Sequence, residues 1–512
     1  MVSTLHVGQF HAREVILLCK QCGARYRSEE LDNLVPAGAN FGYDVLVYAG
    51  QALFLRHRNE EEVVAELAER NIQISPREVS LLSRKFVVYL ALAHERCTDR
   101  IQEAMRLRGG YVCHLDATCE GRDPLLMSSL DSLSEIVLGN VKLPSEDERQ
   151  ILPFLQRLKQ TFGIPLALVH DMGKGILKAV AKVFPGVPDF ICHFHFLRDL
   201  GKDLLNEPYD LIRQRLRKHQ ISSKLRRRAK EFKRQIDLNP AMIDGLAAGI
   251  KDQPLPDSCL QGLPSLNAYS LIHWALQGKA EGQGYGFPFD CPHLTFAKRL
   301  CQLGIYLDQL KDIQLRGKSQ DNRPYFKILA DLKAMLRDRS LWHAVEQIEK
   351  NITLFDRLRQ AMHIAPPSGR HGLNDEGDNT NIHTIEHRVK TFRAWLTTRK
   401  DYPQNQKAQK MIDQIDKYWK KLFADPITVQ TPSGPLQIQP QRTNNLLEQF
   451  FRHLKGKRSL EELFAEIEIA TVREAFRKAQ LNPEQIPNKI KRLIAQPDYP
   501  AKLVTMVAKV VA

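Results

Sequence analysis

The sequence predicts an α/β protein: a mixed sheet with helices, interrupted by a large all-helical block and preceded by a helical N-terminal region. Three observations carry this. Between Arg108 and Phe196 the hydrophobic period moves between 2 and 3.6 in the order strand, strand, strand, helix, strand, helix, strand. From Leu197 to about Pro426 no comparable strand pattern returns, and apolar spacing such as Leu329, Leu332, Met335 and Leu336 is helical. Ahead of the sheet, Tyr43 to Val88 is helical in pattern and carries two helix-start signals.

Taken in chain order, Cys19-Lys20-Gln21-Cys22-Gly23 is half of a zinc knuckle. A tetrahedral structural zinc needs four ligands, and the chain holds no second pair of cysteines at this spacing. His6 and His11 are candidates to complete the set; the alternative is two unrelated thiols. Asn59 with Glu62, and Ser75-Pro76-Arg77-Glu78, then mark two helix starts, each with a capping residue and a glutamate three positions on. Two such helices joined by Asn71-Ile72-Gln73-Ile74 form either a helix-turn-helix or a plain helical hairpin. In the second, Val79, Leu82 and Phe86 face a core, which turns Arg77, Ser80, Arg84 and Lys85 outward, where a DNA groove would be met.

The strand runs are Tyr111–Leu115, Pro124–Ser129 and Glu135–Lys142, an antiparallel meander, followed by a helix capped within Ser145-Glu146-Asp147-Glu148. Ile164–Val169 reads as a buried strand, Lys174–Val183 as a helix and Asp189–Phe196 as a further strand. Beyond the helical block, whose polar passage Pro366–Asn381 reads as a loop, come a hairpin around Pro432-Ser433-Gly434-Pro435 and a helix from about Thr443. The expected organisation is a candidate zinc-knuckle region over 1–40, a helix-turn-helix region over 41–107, the first part of the α/β core over 108–198, the helical block over 199–425, the second part of the core over 426–478, and a helical tail over 479–512.

At 512 residues the chain has room for about three domains of the usual size. Lys and Arg total 74 against 59 Asp and Glu, a net charge of +15 that points to a polyanionic partner. The excess is concentrated: Ile212–Arg234 holds eleven Lys and Arg against the single acid Glu231. Such a run is either a solvated helix face or a track for phosphates. Met1–Cys19 lacks the features of a secretory signal, no apolar run approaches the ~20 residues that span a bilayer, and the nine cysteines form no disulfide pattern, so a reduced, cytoplasmic protein without membrane contact is expected.

Three carboxylates stand where chemistry collects. Asp116 and Asp171 fall at the carboxyl ends of sheet strands, the usual ligand side of such sheets, and Glu448 lies at the polar boundary of an amphipathic helix. Singly, an aspartate after a strand often caps the next turn, and Glu448 with Arg452 and Lys455 can be an ion-paired face. Together, they are the hard oxygen ligands that hold two magnesium or manganese ions roughly 3.5–4 Å apart for phosphoryl transfer.

Four motifs, His114-Leu115-Asp116-Ala117-Thr118, Val169-His170-Asp171-Met172-Gly173-Lys174-Gly175, Cys192-His193-Phe194-His195-Phe196-Leu197-Arg198-Asp199 and Thr443-Asn444-Asn445-Leu446-Leu447-Glu448-Gln449-Phe450-Phe451-Arg452, span about Gly109 to Lys457. In this order the sequence resembles the DDE transposases with a ribonuclease H-like catalytic core, a C/DxxH motif and a helical insertion, such as the Mutator-like, hAT and related bacterial insertion-sequence enzymes. The resemblance implies a ribonuclease H-like fold and a catalytic triad of Asp116, Asp171 and Glu448 holding two Mg2+ or Mn2+ ions. It also implies a supporting pair, Cys192 and His195; because residues i and i+3 of one strand face opposite sides, His193 is a rival for the second position. Arg226, Arg227 and Arg228 of the basic run, with Arg77, Arg84, Lys85 and Arg452, become contacts to double-stranded DNA, both transposon ends and target. Trp274 and Trp342 of the helical block are candidates for stacking on an unpaired base, against the plainer reading as core residues. The enzyme is expected to assemble as a homo-oligomer on DNA, near the nucleoid in a bacterium. The alternatives are a transposase-derived protein that binds DNA without cutting it, and a ribonuclease H-like nuclease of repair or recombination.

Overall fold

A computed structural model describes residues 1–26, 28–36, 38–54, 56, 58–119, 125–238, 257–314, 323–365 and 382–454. The expected loop over 366–381 and the tail over 479–512 lie outside the described residues. The chain divides into two compact units, one formed by residues 1–192 and resuming at Lys420, the other by His193–Trp419. The second starts and ends a few residues before the helical block drawn from sequence.

The first unit opens with two short antiparallel hairpins, β1 (Val2–Thr4) with β2 (Gly8–Phe10) and β3 (Leu17–Leu18) with β4 (Arg25–Tyr26). Helices α1 (Glu29–Leu34), α2 (Tyr43–Phe54), α3 (Glu60–Ala68), α4 (Pro76–Arg96) and α5 (Thr98–Leu107) follow. Both capping boxes form: Asn59 accepts from the Glu62 N–H at 2.8 Å while Glu62 accepts from the Asn59 N–H at 2.9 Å, and Ser75 and Glu78 exchange the equivalent pair at 3.2 Å each. A cluster of Val45, Val63, Leu67, Ile72, Val79, Leu82 and Phe86 joins α2, α3 and α4, and Arg77, Arg84 and Lys85 are exposed. The second of the two expected short helices is in fact 21 residues long, because the apolar run Phe86–Ala93 is buried on every side and carries α4 onward to Arg96.

The five-stranded sheet is built from β5 (Val112–Thr118), β6 (Leu125–Asp131), β7 (Ile136–Leu143), β8 (Ala167–His170) and β9 (Asp189–Ile191), in the spatial order β7-β6-β5-β8-β9. The first three are an antiparallel meander; β8 is parallel to β5, and β9 to β8. Helix α6 (Glu148–Phe162), capped by Asp147, enters β8, and α7 (Lys174–Val183) crosses from β8 to β9. Side chains alternate between the faces. Cys113, Leu115, Met127 and Leu168 pack against Phe154, Leu155, Ile176 and Val180 of α6 and α7. On the opposite face Leu126 and Leu130 meet Leu447 and Phe451 of the helix Asn445–Leu454, and Val112 and Val169 meet Val429 and Ile438 of the hairpin formed by β10 (Ile427–Thr431) and β11 (Gly434–Ile438).

Two strands differ from the sequence reading. Ile164 and Pro165 precede β8, with Ile164 65% exposed. The run Asp189–Phe196 is a strand only to Ile191, and a helix begins at His193. Phe194, His195, Phe196 and Leu197 are buried in succession, so neither period is visible there.

The second unit is helical among its described residues: α8 (His193–Lys218), α9 (Ile221–Asp237), and helices Asp257–Gln277, Pro292–Gln314, Arg323–Leu336, Arg339–Met362 and Ile382–Thr397, followed by Gln406–Leu422, which ends in the first unit. Asp338 caps the helix Arg339–Met362 and also receives Arg215 and His219, each at 2.7 Å. Its burial acts to raise the carboxyl pKa, but these donors outweigh it and hold the group below the ordinary value. No helix among the described residues is long and apolar enough to cross a membrane.

Candidate metal centre

Asp116 lies within β5, two residues before its end, rather than after the strand. Alternation places it with His114 on the face covered by the helix Asn445–Leu454, opposite Ser128 of β6. It is 6% exposed, and its Oδ1 accepts the Ala117 N–H at 2.9 Å. Glu448 occupies the first turn of the covering helix, its N–H bonded to Asn444 O at 2.9 Å. His195 is the third residue of α8, which follows β9 after one intervening residue, Cys192. One ligand atom each from Asp116, His195 and Glu448 lie within 4.8 Å of one another, with Asp116 and His195 buried and Glu448 half-buried. This cluster has the donors to hold a metal ion.

Asn444 sets the position of the Glu448 helix. The residue is fully buried and reaches two elements at once. Its Nδ2 donates to Leu115 O at 2.8 Å, its Oδ1 lies 3.0 Å from His114 Nδ1, and its backbone N–H donates to Cys192 Sγ at 3.3 Å. With the amide nitrogen committed to Leu115, Oδ1 is the acceptor and His114 carries its proton on Nδ1. Burial outweighs that hydrogen bond and pushes the His114 imidazole down to about 4. His195 is pushed to about 3 by burial, then by the charges of Arg198 and Lys202. Both rings are therefore neutral near neutral pH, and a neutral imidazole has the lone pair a metal requires.

Asp171 is the first residue past β8. The β5–β8 ladder ends at the pair His114 and Val169, so Asp171 falls two residues beyond the last β8 residue paired with β5. Its side chain, however, is not in the cluster: Oδ1 accepts the Gly173 N–H at 3.0 Å, the turn-capping role open to any aspartate after a strand. Behind it, His170 is buried, with Nδ1 2.7 Å from Asp171 O and Nε2 3.4 Å from Asp189, which also takes Lys421.

The structure thus brings Asp116 and Glu448 together, adds His195, and leaves Asp171 outside the cluster on its own turn. Cys192 and His195 separate: the strand ends between them, so the thiol accepts from Asn444 while the imidazole joins the carboxylates. His193 is buried and outside the cluster. Asn444 and His114, absent from the sequence-predicted site, stand inside the quoted motifs; the signal available was a polar pair, Asn444-Asn445, opening an apolar helix.

Elsewhere, Cys19 and Cys22 sit on the turn between β3 and β4, and among the described residues no third ligand gathers with them. Backbone N–H groups of Cys22 and Gln21, together with the Cys22 side chain, hold the Cys19 thiol below its ordinary pKa. In the basic run Arg226 and Arg227 are exposed, but Arg228 is a correction to the sequence reading. It is 6% exposed and its Nη1 donates to both Glu231 oxygens, at 2.6 and 2.8 Å, since position 228 shares its helix face with Leu225 and Phe232. Trp274 is half-buried with the Arg299 guanidinium 4.9 Å over its ring, and Trp342 is half-buried. The Arg452 side chain lies outside the described residues.

Sheet and cluster together define an α/β protein with a buried carboxylate and histidine group able to hold a metal ion. No protein-family model matches the chain, and no curated protein sequence matches it.

Proposed function

We propose that the protein is a DDE-type DNA transposase with a ribonuclease H-like core, carrying out metal-dependent phosphodiester cleavage and strand transfer at transposon ends. The observation that carries the reading is the convergence of Asp116 and Glu448, with His195, on one face of the sheet. The strand order β7-β6-β5-β8-β9, three antiparallel then two parallel, supports the ribonuclease H-like assignment, as does the placement of Asp116 on the central strand.

The donor set fits a divalent cation. Two carboxylates suit magnesium or manganese, and an added imidazole shifts preference toward manganese. Asp116, Glu448 and His195 would hold one ion, and Asp171, once released from Gly173, is the carboxylate proposed for a second. Bound there, the ions supply Lewis-acid activation of a water or a DNA 3′-hydroxyl and stabilise the departing oxygen. The chain's own part is to fix the ligands: β5 sets Asp116, the Asn444 bonds set the Glu448 helix, and burial keeps His195 unprotonated. Exposed Arg226 and Arg227, with Arg217, Lys230, Lys233 and Arg234, supply phosphate contacts, while Arg213, Arg215, Lys224 and Arg228 are engaged by Asp210, Asp338, Asp331 and Glu231 respectively.

Strand transfer separates this reading from a nuclease or a DNA-binding relative. A duplex carrying the element's end with a free 3′-hydroxyl, incubated with supercoiled plasmid and Mn2+, is expected to give covalently joined product. Cleavage without joining would favour the nuclease, and tight binding without either would favour the non-cleaving relative.

A further inference from the structure

The turn carrying Cys19 and Cys22 is built as one half of something. Cys19 N–H donates to Ala24 O at 2.8 Å and Gly23 N–H to Cys19 O at 2.9 Å, closing a tight loop between β3 and β4. Gly23 takes φ 69°, a left-handed conformation that a side chain would strain. The loop points the backbone N–H groups of Gln21 and Cys22 at the Cys19 sulfur. Two thiols held this way are the soft ligands zinc prefers, but a structural zinc site needs four.

Among the described residues no other ligand gathers with the pair. His6 and His11 are described and do not gather with the pair, and the chain has no second Cys-x-x-Cys. Cys113 is buried within β5, and Cys192 is buried between β9 and α8. Val15 and Ile16 just before β3, Leu17 and Leu18 on it, and Tyr26 on β4 are each between 52 and 74% exposed. Two-residue strands cannot stabilise themselves, and four consecutive exposed apolar residues, Val15–Leu18, form an unpartnered apolar strip suited to an interface.

We propose that Cys19 and Cys22 bind zinc jointly with the same two cysteines of a second copy of this chain, so that one ion on a twofold axis joins two subunits. Two donors are half of a tetrahedral set, and a twofold contact repeats the same patch on both sides, so one operation completes the coordination and covers both apolar strips. Lys20, inside the motif, and Arg25 on β4 are exposed cations that offset the negative charge of a four-thiolate zinc site. Each chain gives up two thiol protons on binding, four for each zinc, with no change of oxidation state. The inference is independent of the reading of the sheet site.

The test uses the full chain with Co2+ as a spectroscopic stand-in for zinc and light scattering for mass. Thiolate-to-cobalt absorption is expected to saturate at one ion for every two chains, zinc to displace it, and the protein to be a dimer that chelation converts to monomer. Cys19→Ser/Cys22→Ser is expected to abolish the absorption and the dimer while leaving the helical circular dichroism unchanged. Leu17→Lys, which keeps both thiols, is expected to weaken the dimer at least tenfold. Saturation at one ion per chain on a monomer, no thiolate absorption at all, or a dimer that survives the double serine variant would each overturn the proposal.

Discussion

Replacing Asn444 by alanine removes the two side-chain hydrogen bonds that tie the Glu448 helix to the central strand. It leaves His114 Nδ1 and Leu115 O without those partners, in a place where both residues are fully buried. Each abandoned group costs about 1–3 kcal/mol, so the loss for the two should be about 2–6 kcal/mol, far above the ~0.5 kcal/mol typical of a surface change. Asn444→Asp keeps the acceptor for His114 but loses the donor to Leu115, and should fall between alanine and wild type. Urea unfolding monitored by circular dichroism reads the stability, and Mn2+ titration by calorimetry reads the cluster. The two should fall together, because the same bonds hold the helix and set Glu448. A destabilisation under ~0.5 kcal/mol with unchanged Mn2+ affinity would refute the role given to Asn444.

Acid should unfold the first unit early. His94 and His114 are pushed to about 4 by burial, against 6.5 for the free side chain, so below pH 6.5 the unfolded chain binds protons that the folded one refuses. Stability should therefore fall as pH drops from about 6.5 to 4, at up to about 1.4 kcal/mol per pH unit for each histidine, and a flat profile over that window would contradict their burial. Gly175→Ala would set a Cβ 1.9 Å from the Glu146 carbonyl oxygen, so it should cost about 1–3 kcal/mol in thermal or urea unfolding as α7 is pushed from the loop before α6. Arg226→Ala/Arg227→Ala should weaken DNA binding and reduce the slope of log affinity against log salt by about 2, with the fold intact. Arg228→Ala should instead lower the melting temperature, because it leaves Glu231 without its buried partner. Equal salt-slope effects at 226, 227 and 228 would show that the exposure pattern of α9 does not govern binding.

What the sequence shows of the fold depends on whether a signal is local. The starts of α3 and α4 are visible because a capping box lies within four residues, and α7 is visible because its apolar period ends at Phe184-Pro185-Gly186. The end of β9 is not visible: burial on all sides of Phe194–Leu197 erases the period that separates strand from helix. For the site, Asp116 and Glu448 are legible from their settings, whereas Asn444 acts on His114, 330 residues away in sequence, and only the fold brings the two together. His195 reads as a support from its motif, yet the helix that starts at His193 turns it toward the carboxylates. Arg228 illustrates the converse, since a charge inside a basic run is judged by its neighbours until the helix face is known.

The central claim is tested most directly by cleavage of a labelled duplex that spans the junction flanking the element's own end. Wild type is compared with Asp116→Asn and Glu448→Gln, in Mg2+, in Mn2+ and in excess chelator. The account predicts cuts at the end that require a divalent cation, and variants that still bind the duplex but lose cleavage by at least a hundredfold. Cutting at the wild-type rate by Asp116→Asn, or cutting that persists in chelator, would contradict it.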